Sequence, residues 1–253
     1  MDISISASFY SGLSGLQLPV PKYLFPPSFE NASRLSYYSS LFTSIEINSS
    51  FYKIPRAVTV AKWAAEVPDN FKFTFKLWNG ITHNKGFYFS EEDVATFFNS
   101  IKPAASKKGC VLIQLPPSVG KEHLITLYKL LSYIKYTDTD NWNIAVEFRN
   151  KSWYNDSAYG VLNEFNVALV VQDIPKSSTP IINHETDFIY QRFHGPSGNY
   201  RDSYSEDLLE EYCTYIYEWM EQGKNVYVYF NNTIGDAFNN LETINKLLSE
   251  VNK

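Results

Sequence analysis

The chain has 253 residues, 44% of them hydrophobic, and a formal net charge of -5 at pH 7. An aromatic fraction of 17% with recurrent apolar runs excludes a disordered chain. The acidic balance disfavours a nucleic-acid partner, because phosphate neutralisation needs a basic surface. No run approaches the roughly 18 apolar residues of a membrane span. We therefore expect a single domain over residues 1–253 with no membrane partner.

The two cysteines, Cys110 and Cys213, are too few for a disulfide framework in a chain of this length. Both lie in apolar or helical patterns, which is typical of buried, reduced thiols. The first residues include Asp2 and no basic stretch, unlike a secretory signal. These observations indicate a cytoplasmic protein.

Short apolar segments rich in β-branched and aromatic residues recur along the chain and predict β-strands. They share a pattern and not a sequence, so they are not a sequence repeat. The eight predicted strands are Ile3–Ser8, Ser44–Ser49, Lys72–Leu77, Cys110–Leu115, Ile144–Arg149, Ala168–Asp173, Phe188–His194 and Asn225–Asn231.

Most predicted strands are followed by a segment with helical periodicity. Ser90 and Ser205 stand directly before acidic clusters, where a hydroxyl can cap the start of a helix and the acids favour its positive end. The predicted helices are Ala57–Glu66, Glu91–Ile101, Glu122–Ile134 and Glu206–Met220.

This alternation predicts an α/β fold, a single (β/α)8 TIM-type barrel. The segment Ile174–Asp187 contains Pro175 and Pro180 and leaves no room for a normal helix. The connection between predicted strands six and seven is therefore expected to be irregular and helix-poor. The rival open doubly wound sheet needs a nucleotide-type glycine-rich turn after its first strand, which Ser11–Gly15 does not supply.

Polar residues stand at the carboxyl ends of the predicted strands, where a parallel barrel builds its site. In three strands two polar residues flank one apolar residue, so both polar side chains share a face. These pairs are Glu46 with Asn48, Glu147 with Arg149, and Arg192 with His194. Ile47, Phe148 and Phe193 are then expected to face the helices. Buried charges need partners, so the polar set is either a ligand site or a network of self-satisfied ion pairs.

A series of spaced motifs then becomes recognisable: EINSSFY from Glu46, ITH from Ile81, QLPPS from Gln114, VEFR from Val146, RFHG from Arg192 and YFNN from Tyr229. Together they resemble the motifs of the DUF72 (YecE-like) family over nearly the whole chain. The resemblance implies a TIM barrel and no known activity. Members usually open with a GTSGW-like first strand, whereas this chain reads Ile5-Ser6-Ala7-Ser8-Phe9-Tyr10.

The mixed charges point to an enzyme that needs no metal and acts on an anionic or polyhydroxylated small molecule, such as a sugar, a sugar phosphate or a nucleotide-like compound. Arginine and lysine bind carboxylates and phosphates, and carboxylates and histidine carry acid–base chemistry. No cofactor is predicted. The predicted catalytic residues are Glu46, Glu147, Asp173 and His194. The predicted ligand contacts are Asn48, Tyr52, Lys76, Gln114, Arg149, Arg192, Tyr229, Asn231 and Asn232.

Two alternatives stay open. A divalent-metal enzyme of isomerase or nuclease type would use Glu147, Asp173 and His194, which end three consecutive predicted strands. Against it, Arg149 and Arg192 share faces with the supposed ligands. The barrel could instead bind a ligand or a protein without catalysis.

Loop residues add weaker signals. Gly195, Gly198 and Gly235 lie where barrels often bind phosphate, although such glycines commonly only turn the chain. His83 is either a lid over the mouth or a surface histidine. Aromatic residues just past the strand ends suggest a stacking wall: Tyr52, Trp78, Trp153, Tyr200 and Tyr204.

Overall fold

The structure, a computed structural model, describes residues 7–180 and 185–251. Within them the strands are β1 (Phe9–Leu13), β2 (Ser44–Ile47), β3 (Lys72–Lys76), β4 (Lys108–Leu115), β5 (Asn143–Phe148), β6 (Ala168–Leu169), β7 (Val171–Gln172), β8 (Phe188–Phe193) and β9 (Asn225–Phe230). The α-helices are α1 (Arg34–Leu41), α2 (Ser49–Tyr52), α3 (Ala57–Ala65), α4 (Asn79–Thr82), α5 (Glu91–Ile101), α6 (Leu124–Thr137), α7 (Asp156–Glu164), α8 (Glu206–Glu221) and α9 (Ala237–Val251).

Side chains mark the helix starts as the sequence predicts. The Ser90 hydroxyl accepts from the Asp93 N–H, and the Ser205 hydroxyl accepts from the Leu208 N–H. Such caps satisfy backbone donors that the first helical turn leaves free. They fix the starts of α5, which follows β3 and the short helix α4, and of α8, which follows β8.

All strand pairs are parallel, and they form two sheets, β2-β3-β4-β5-β6 and β1-β9-β8-β7. The sheets meet at two seams. At the first, β6 continues into β7 across Val170, whose N–H donates to the Val146 carbonyl at 2.9 Å. At the second, a parallel bridge joins Ser14 to Glu46. The strands therefore close into the predicted (β/α)8 barrel.

Alternate residues along the strands separate an inner core from an outer one. In β4, Cys110 and Leu112 face the barrel interior, whereas Val111 and Ile113 pack against the helices. Ile47, Phe148 and Phe193 all belong to the outer core. This placement confirms the predicted parity of the polar set.

Tyrosine rings fill the barrel interior. Tyr190, Tyr227 and Tyr229 belong to the inner core, and the rings of Tyr190 and Tyr229 lie 5.2 Å apart. The Tyr229 hydroxyl bonds to Ser44 Oγ at 2.6 Å and to Thr74 Oγ1 at 2.7 Å. Small hydroxyl residues on β2 and β3 thus satisfy a buried phenol, and tyrosine rings occupy the interior below the mouth.

The first strand lies later in the chain than predicted. Of the predicted Ile3–Ser8, residues 3–6 lie outside the described residues, and Ser8 precedes β1. The strand uses a Ser-Gly sequence that resembles a turn. A Cβ on Gly12 would lie 2.0 Å from the Ser44 carbonyl oxygen, so the close approach of β1 to β2 requires glycine.

The other predicted strands and helices match the structure within a few residues. Between β7 and β8, the described residues 173–180 and 185–187 contain no helix, as expected. Both cysteines are buried and free. Among the described residues, no helix combines the length and the apolar character needed to cross a bilayer.

Gly12→Ala tests the seam between β1 and β2. Because the new methyl group would collide with backbone, we expect the free energy of unfolding to fall by about 1–3 kcal/mol. Gly160→Ala is the matched control, since Gly160 lies in α7 with no atom within 4 Å of an added Cβ; it should gain up to about 1 kcal/mol from helix propensity. Urea unfolding followed by circular dichroism measures both. Equal effects of the same sign would contradict close packing at this seam.

Candidate active site

A fully buried ion-pair cluster joins β2, β5 and β8 at the carboxyl end of the barrel. Arg192 lies at its centre: Nη2 donates to Glu46 Oε1 at 2.7 Å, and Nη1 donates to Glu147 Oε2 at 2.5 Å. All three side chains are 0% exposed. Glu46 also accepts from the hydroxyls of Tyr190 at 2.6 Å and Ser14 at 2.7 Å. These donors offset the desolvation of the carboxylates.

Neighbouring cations and hydrogen-bond donors decide the ionisation of both glutamates. Burial raises the pKa of Glu46, but the Arg192 guanidinium together with the hydroxyls of Tyr190 and Ser14 outweighs it and holds the pKa below the ordinary value. Burial also raises the pKa of Glu147, and the charges of Arg149 and Arg192 outweigh it, so this pKa is lowered as well. Both groups are therefore carboxylates at neutral pH, and both are weak bases.

Arg149 forms a second layer over Glu147. Its Nε donates to Glu147 Oε1, and its Nη1 donates to the Tyr200 hydroxyl at 3.1 Å. Tyr200 has a φ of 62°, a left-handed conformation that is uncommon for a residue other than glycine. Its N–H donates to the His194 carbonyl at 2.7 Å. The loop after β8 thus contains a strained residue, Tyr200, whose side-chain hydroxyl bonds to Arg149.

His194 is fully buried between Asp173 and the two arginines. Its Nδ1 lies 3.2 Å from Asp173 Oδ1, and its Nε2 lies 3.1 Å from Arg149 Nη2 and 3.2 Å from Arg192 Nη1. Guanidinium groups only donate, so Nε2 accepts and Nδ1 carries the proton. Burial lowers the pKa of His194. His194 is therefore a neutral histidine of fixed tautomer.

Lys76, at the end of β3, differs from the other cations of the mouth. No Asp or Glu oxygen among the described residues lies within 4.0 Å of its Nζ. Nζ donates to Gln114 Oε1 at 2.8 Å and lies 4.2 Å from the centre of the Phe51 ring. The residue is 9% exposed. Burial, followed by the charge of Arg192, lowers the pKa of Lys76 to about 8 although the two glutamates oppose this.

Amide side chains form part of the polar rim at the strand ends, and one of them, Gln114, bonds to Lys76. Gln114 and Asn48 are half-buried, and Asn48 Nδ2 donates to the Ser14 carbonyl at 3.2 Å. Asn231, at the end of β9, is 9% exposed. Amides both donate and accept, so this rim suits hydroxyl or carbonyl groups of a ligand.

His83 lies at the mouth and not on a remote surface. Its ring packs edge-on against Phe51 at 4.9 Å, and its Nδ1 lies 2.8 Å from Thr82 Oγ1. Desolvation and the charges of Lys76 and Arg149 lower the pKa of His83. Of the two sequence-based interpretations, this placement favours the lid residue.

Comparison with known proteins gives the family. The model of a family described as "Protein of unknown function DUF72" matches residues 10–253. The chain belongs to the DUF72 family. It is 32% identical over 260 residues to the UPF0759 protein YunF of Bacillus subtilis, covering 89% of this chain and 90% of that protein. It is 27% identical over 120 residues to the UPF0759 protein YecE of Escherichia coli K12, covering 47% and 43%.

Solved DUF72 structures share the fold. A DUF72 family protein from Enterococcus faecalis superimposes with a TM-score of 0.78 at 25% identity, covering 95% of both chains. A DUF72 family protein from Thermotoga maritima superimposes with a TM-score of 0.72 at 25% identity, covering 96% of this chain and 99% of the other. These names state no activity, so the chemistry of this DUF72 protein must be argued from its own residues.

Most residues predicted for the site meet at this end of the barrel, but at two depths. The lower level is sealed from solvent by its own bonds and consists of Glu46, Glu147, Arg192 and His194. The upper level retains some exposure and consists of Asn48, Lys76, Gln114, Arg149, Asp173 and Asn231.

Two predicted ligand contacts need correction. Tyr229 is fully buried inside the barrel, where its hydroxyl serves β2 and β3. Asn232 follows the inward Asn231 and so takes the opposite face; its Nδ2 donates to the Asp202 carbonyl at 3.0 Å and to Asn240 Oδ1 at 2.9 Å. Neither side chain lines the mouth, because one lies too deep and the other faces the loops.

The aromatic residues just past the strand ends fall into a buried group and a more exposed group. Trp153 is core: it stacks on Phe148 at 4.8 Å and its indole N–H donates to the Val119 carbonyl at 2.7 Å. Tyr204 is 6% exposed and donates to Asp173. The remaining candidates for a stacking wall are partly or largely exposed: Tyr52, Trp78 and Tyr200.

The loop glycines bring loops together and do not form a phosphate cradle. A Cβ on Gly195 would lie 2.1 Å from the Arg201 carbonyl oxygen, and one on Gly235 would lie 2.3 Å from the Asp202 carbonyl oxygen. The space that a side chain would occupy at each of these two glycines is therefore filled by backbone of the loop after β8.

In the alternative hypothesis of a metal enzyme, Asp173 and Glu147 would bind the same ion, but the His194 ring lies between them. Asp173 lies at its Nδ1, whereas Glu147 lies on the Nε2 side with Oε1 3.7 Å away. Asp173 also accepts from the His194 N–H at 2.9 Å and from the Tyr204 hydroxyl. Within residues 7–180 and 185–251, no group of three or more His, Cys, Asp or Glu residues could hold a metal ion. This geometry suits an ion-paired network better than a metal centre.

Three contacts of the site were not predicted. Tyr190 precedes Arg192 by two residues, so strand parity could have found it. Phe51 belongs to the same motif as Glu46, but nothing in a sequence shows that it lies under Lys76. Ser14 directly follows β1, which lies later in the chain than the sequence predicts, so its contact with Glu46 was not predicted.

Arg192→Met tests the ion-pair cluster. The variant leaves two buried carboxylates without their shared partner, so we expect the free energy of unfolding to fall by about 3–5 kcal/mol. Arg56→Met, at the exposed start of α3, is the control and should change it by less than about 0.5 kcal/mol. Urea unfolding measures both. A similar small change in the two variants would show that the cluster adds no stability.

Acidification should weaken the fold in two stages. The pKa of His194 is lower in the folded than in the unfolded protein, so the unfolded state takes up the proton first and stability falls below about pH 6.5. The lowered pKa values of Glu46 and Glu147 stabilise the fold above about pH 4.5, and this contribution is lost as the pH falls further. Urea unfolding at several pH values measures the profile. His194→Gln should flatten the first stage, and an unchanged profile would contradict this origin.

Proposed function

We propose that this protein is an enzyme that needs no metal, acts on a small anionic or polyhydroxylated molecule at the barrel mouth, and uses Lys76 as its acid–base group. The observation that carries the proposal is a sheltered amino group with no carboxylate within ion-pair distance in the described part of the chain. A buried unpaired charge costs stability. Its presence at the end of a barrel strand therefore indicates a function that needs it.

The position of the charges around Lys76 favours an anion. Arg149 and Arg192 compensate Glu46 and Glu147. Asp173 equals the charge of Lys76 in number, but it lies behind His194 and is bonded to His194 and Tyr204. In this proposal the unpaired amino group of Lys76 therefore binds a carboxylate or phosphate, while the amides of the rim suit hydroxyl groups.

Acid–base chemistry suits the upper level better than the lower one. A pKa of about 8 lets Lys76 release and take up a proton near neutral pH. His83, close enough for its charge to respond to Lys76, supplies a second titratable group. In this proposal the buried acids and the histidine position the arginines, because each is already engaged in hydrogen bonds or ion pairs within the protein. These residues are Glu46, Glu147, Asp173 and His194.

Lys76→Met should stabilise the protein while it abolishes function. Removing a buried charge and keeping most of the side-chain volume is expected to raise the free energy of unfolding by about 1–3 kcal/mol at pH 7. Because the folded pKa is about 8 and the ordinary value is 10.5, this gain should shrink as the pH rises through that interval. Lys129→Met, on the exposed face of α6, is the control. Loss of stability in Lys76→Met would make Lys76 a structural residue.

Ligand binding is tested with inorganic phosphate and glucose 6-phosphate by titration calorimetry on chelator-treated protein. We expect at least a tenfold loss of affinity in Lys76→Met, which corresponds to about 1.4 kcal/mol, and no change in Lys129→Met. Turnover of a panel of sugar phosphates and hydroxy acids is followed by proton NMR. Equal binding by both variants overturns the role of Lys76, and binding without any turnover leaves a ligand-binding barrel.

A further inference from the structure

We infer that the substrate class is a carbonyl compound bearing a carboxylate or phosphate, and that the Lys76 amine adds to its carbonyl carbon to form an imine. The inference rests on the proposed function, since it uses the same lysine and the same anion-binding mouth. It goes further by making Lys76 a nucleophile as well as an acid–base group.

The contacts of Lys76 are those that a nucleophilic amine needs. A carboxylate partner would hold the amine protonated, but the polar partner here is Gln114 Oε1 at 2.8 Å, which accepts a hydrogen bond and carries no charge. The Phe51 ring at 4.2 Å covers one side and limits hydration. Lysine becomes nucleophilic through desolvation or through neighbouring cations, and both act at this site.

The charges that face Lys76 come from several strands. Arg192 and Arg149 disfavour a further positive charge, Glu147 and Glu46 favour it, and burial adds to the arginines. A pKa of about 8 leaves about a tenth of the lysine as free amine at pH 7. A lysine at the ordinary 10.5 leaves only about one part in three thousand.

The step balances without an oxidant or a reductant. After Lys76 releases a proton, the nitrogen lone pair of the free amine forms the C–N bond while the carbonyl π pair moves to oxygen. The oxygen takes a proton and the nitrogen gives one up, which yields a neutral carbinolamine. A second proton reaches that hydroxyl, the C–O bond breaks, and water leaves as the restored nitrogen lone pair forms C=N. Ammonium and carbonyl thus give iminium and water. His83, neutral and exposed at the mouth, is placed to exchange these protons with solvent.

Borohydride trapping tests the inference. The full-length protein is incubated with pyruvate or glyceraldehyde 3-phosphate, reduced with sodium borohydride, and analysed by intact mass and peptide mapping. We expect one adduct per chain, on Lys76, formed at least tenfold faster than adducts on Lys129. Inorganic phosphate in excess should protect Lys76, because it competes for the same mouth. The initial trapping rate should rise with pH and level off above about 8.

Lys76→Arg separates this inference from the proposed function. Arginine keeps the positive charge but stays protonated and forms no imine under these conditions. The variant should bind phosphate and lose the adduct, whereas Lys76→Met should lose both. Wild-type protein that binds phosphate but gives no Lys76 adduct overturns the imine and leaves the proposed function standing. Wild-type protein that does neither overturns both.

Discussion

The ion pairs that Arg192 makes with Glu46 and Glu147 are the interaction on which the rest of this end of the barrel depends. They tie β8 to β2 and β5 across the interior, so strands far apart in sequence share one bonded centre. Each partner is fully buried, and removing one leaves another charge without compensation. The cluster also acts on Lys76 above it: burial is the main cause of the lowered pKa of Lys76, Arg192 adds to it, and the two glutamates oppose it.

Strand parity explains why much of the site could be predicted from the sequence. The alternation of polar and apolar residues around Ile47, Phe148 and Phe193 identified the inward faces of three strands, and these apolar residues do pack outside the barrel. The alternation of inward and outward residues does not show how far along the barrel axis an inward side chain lies. Tyr229 and Asn231 share a face, yet the first is sealed inside the barrel and the second lies at the mouth.

Other features depended on contacts that a sequence does not reveal. The Ser-Gly sequence of β1 resembles a turn, and it becomes a strand because Gly12 lets the Ser44 carbonyl approach. The formal charges of the polar set balance, which hides the fact that no carboxylate in the described ranges lies beside Lys76. The tautomer of His194 likewise follows from two guanidinium groups that face its Nε2, and burial keeps the ring neutral by lowering its pKa.

The packed tyrosines fill the barrel interior beneath the ion pairs. Under the proposed function, a ligand therefore lies above the ion pairs, where its far end meets loop side chains such as Tyr52, Trp78 and His83. Loops tolerate changes in length and composition better than strands. A change in these loops would therefore alter the size of molecule that fits, while the charged residues at the strand ends stay in place.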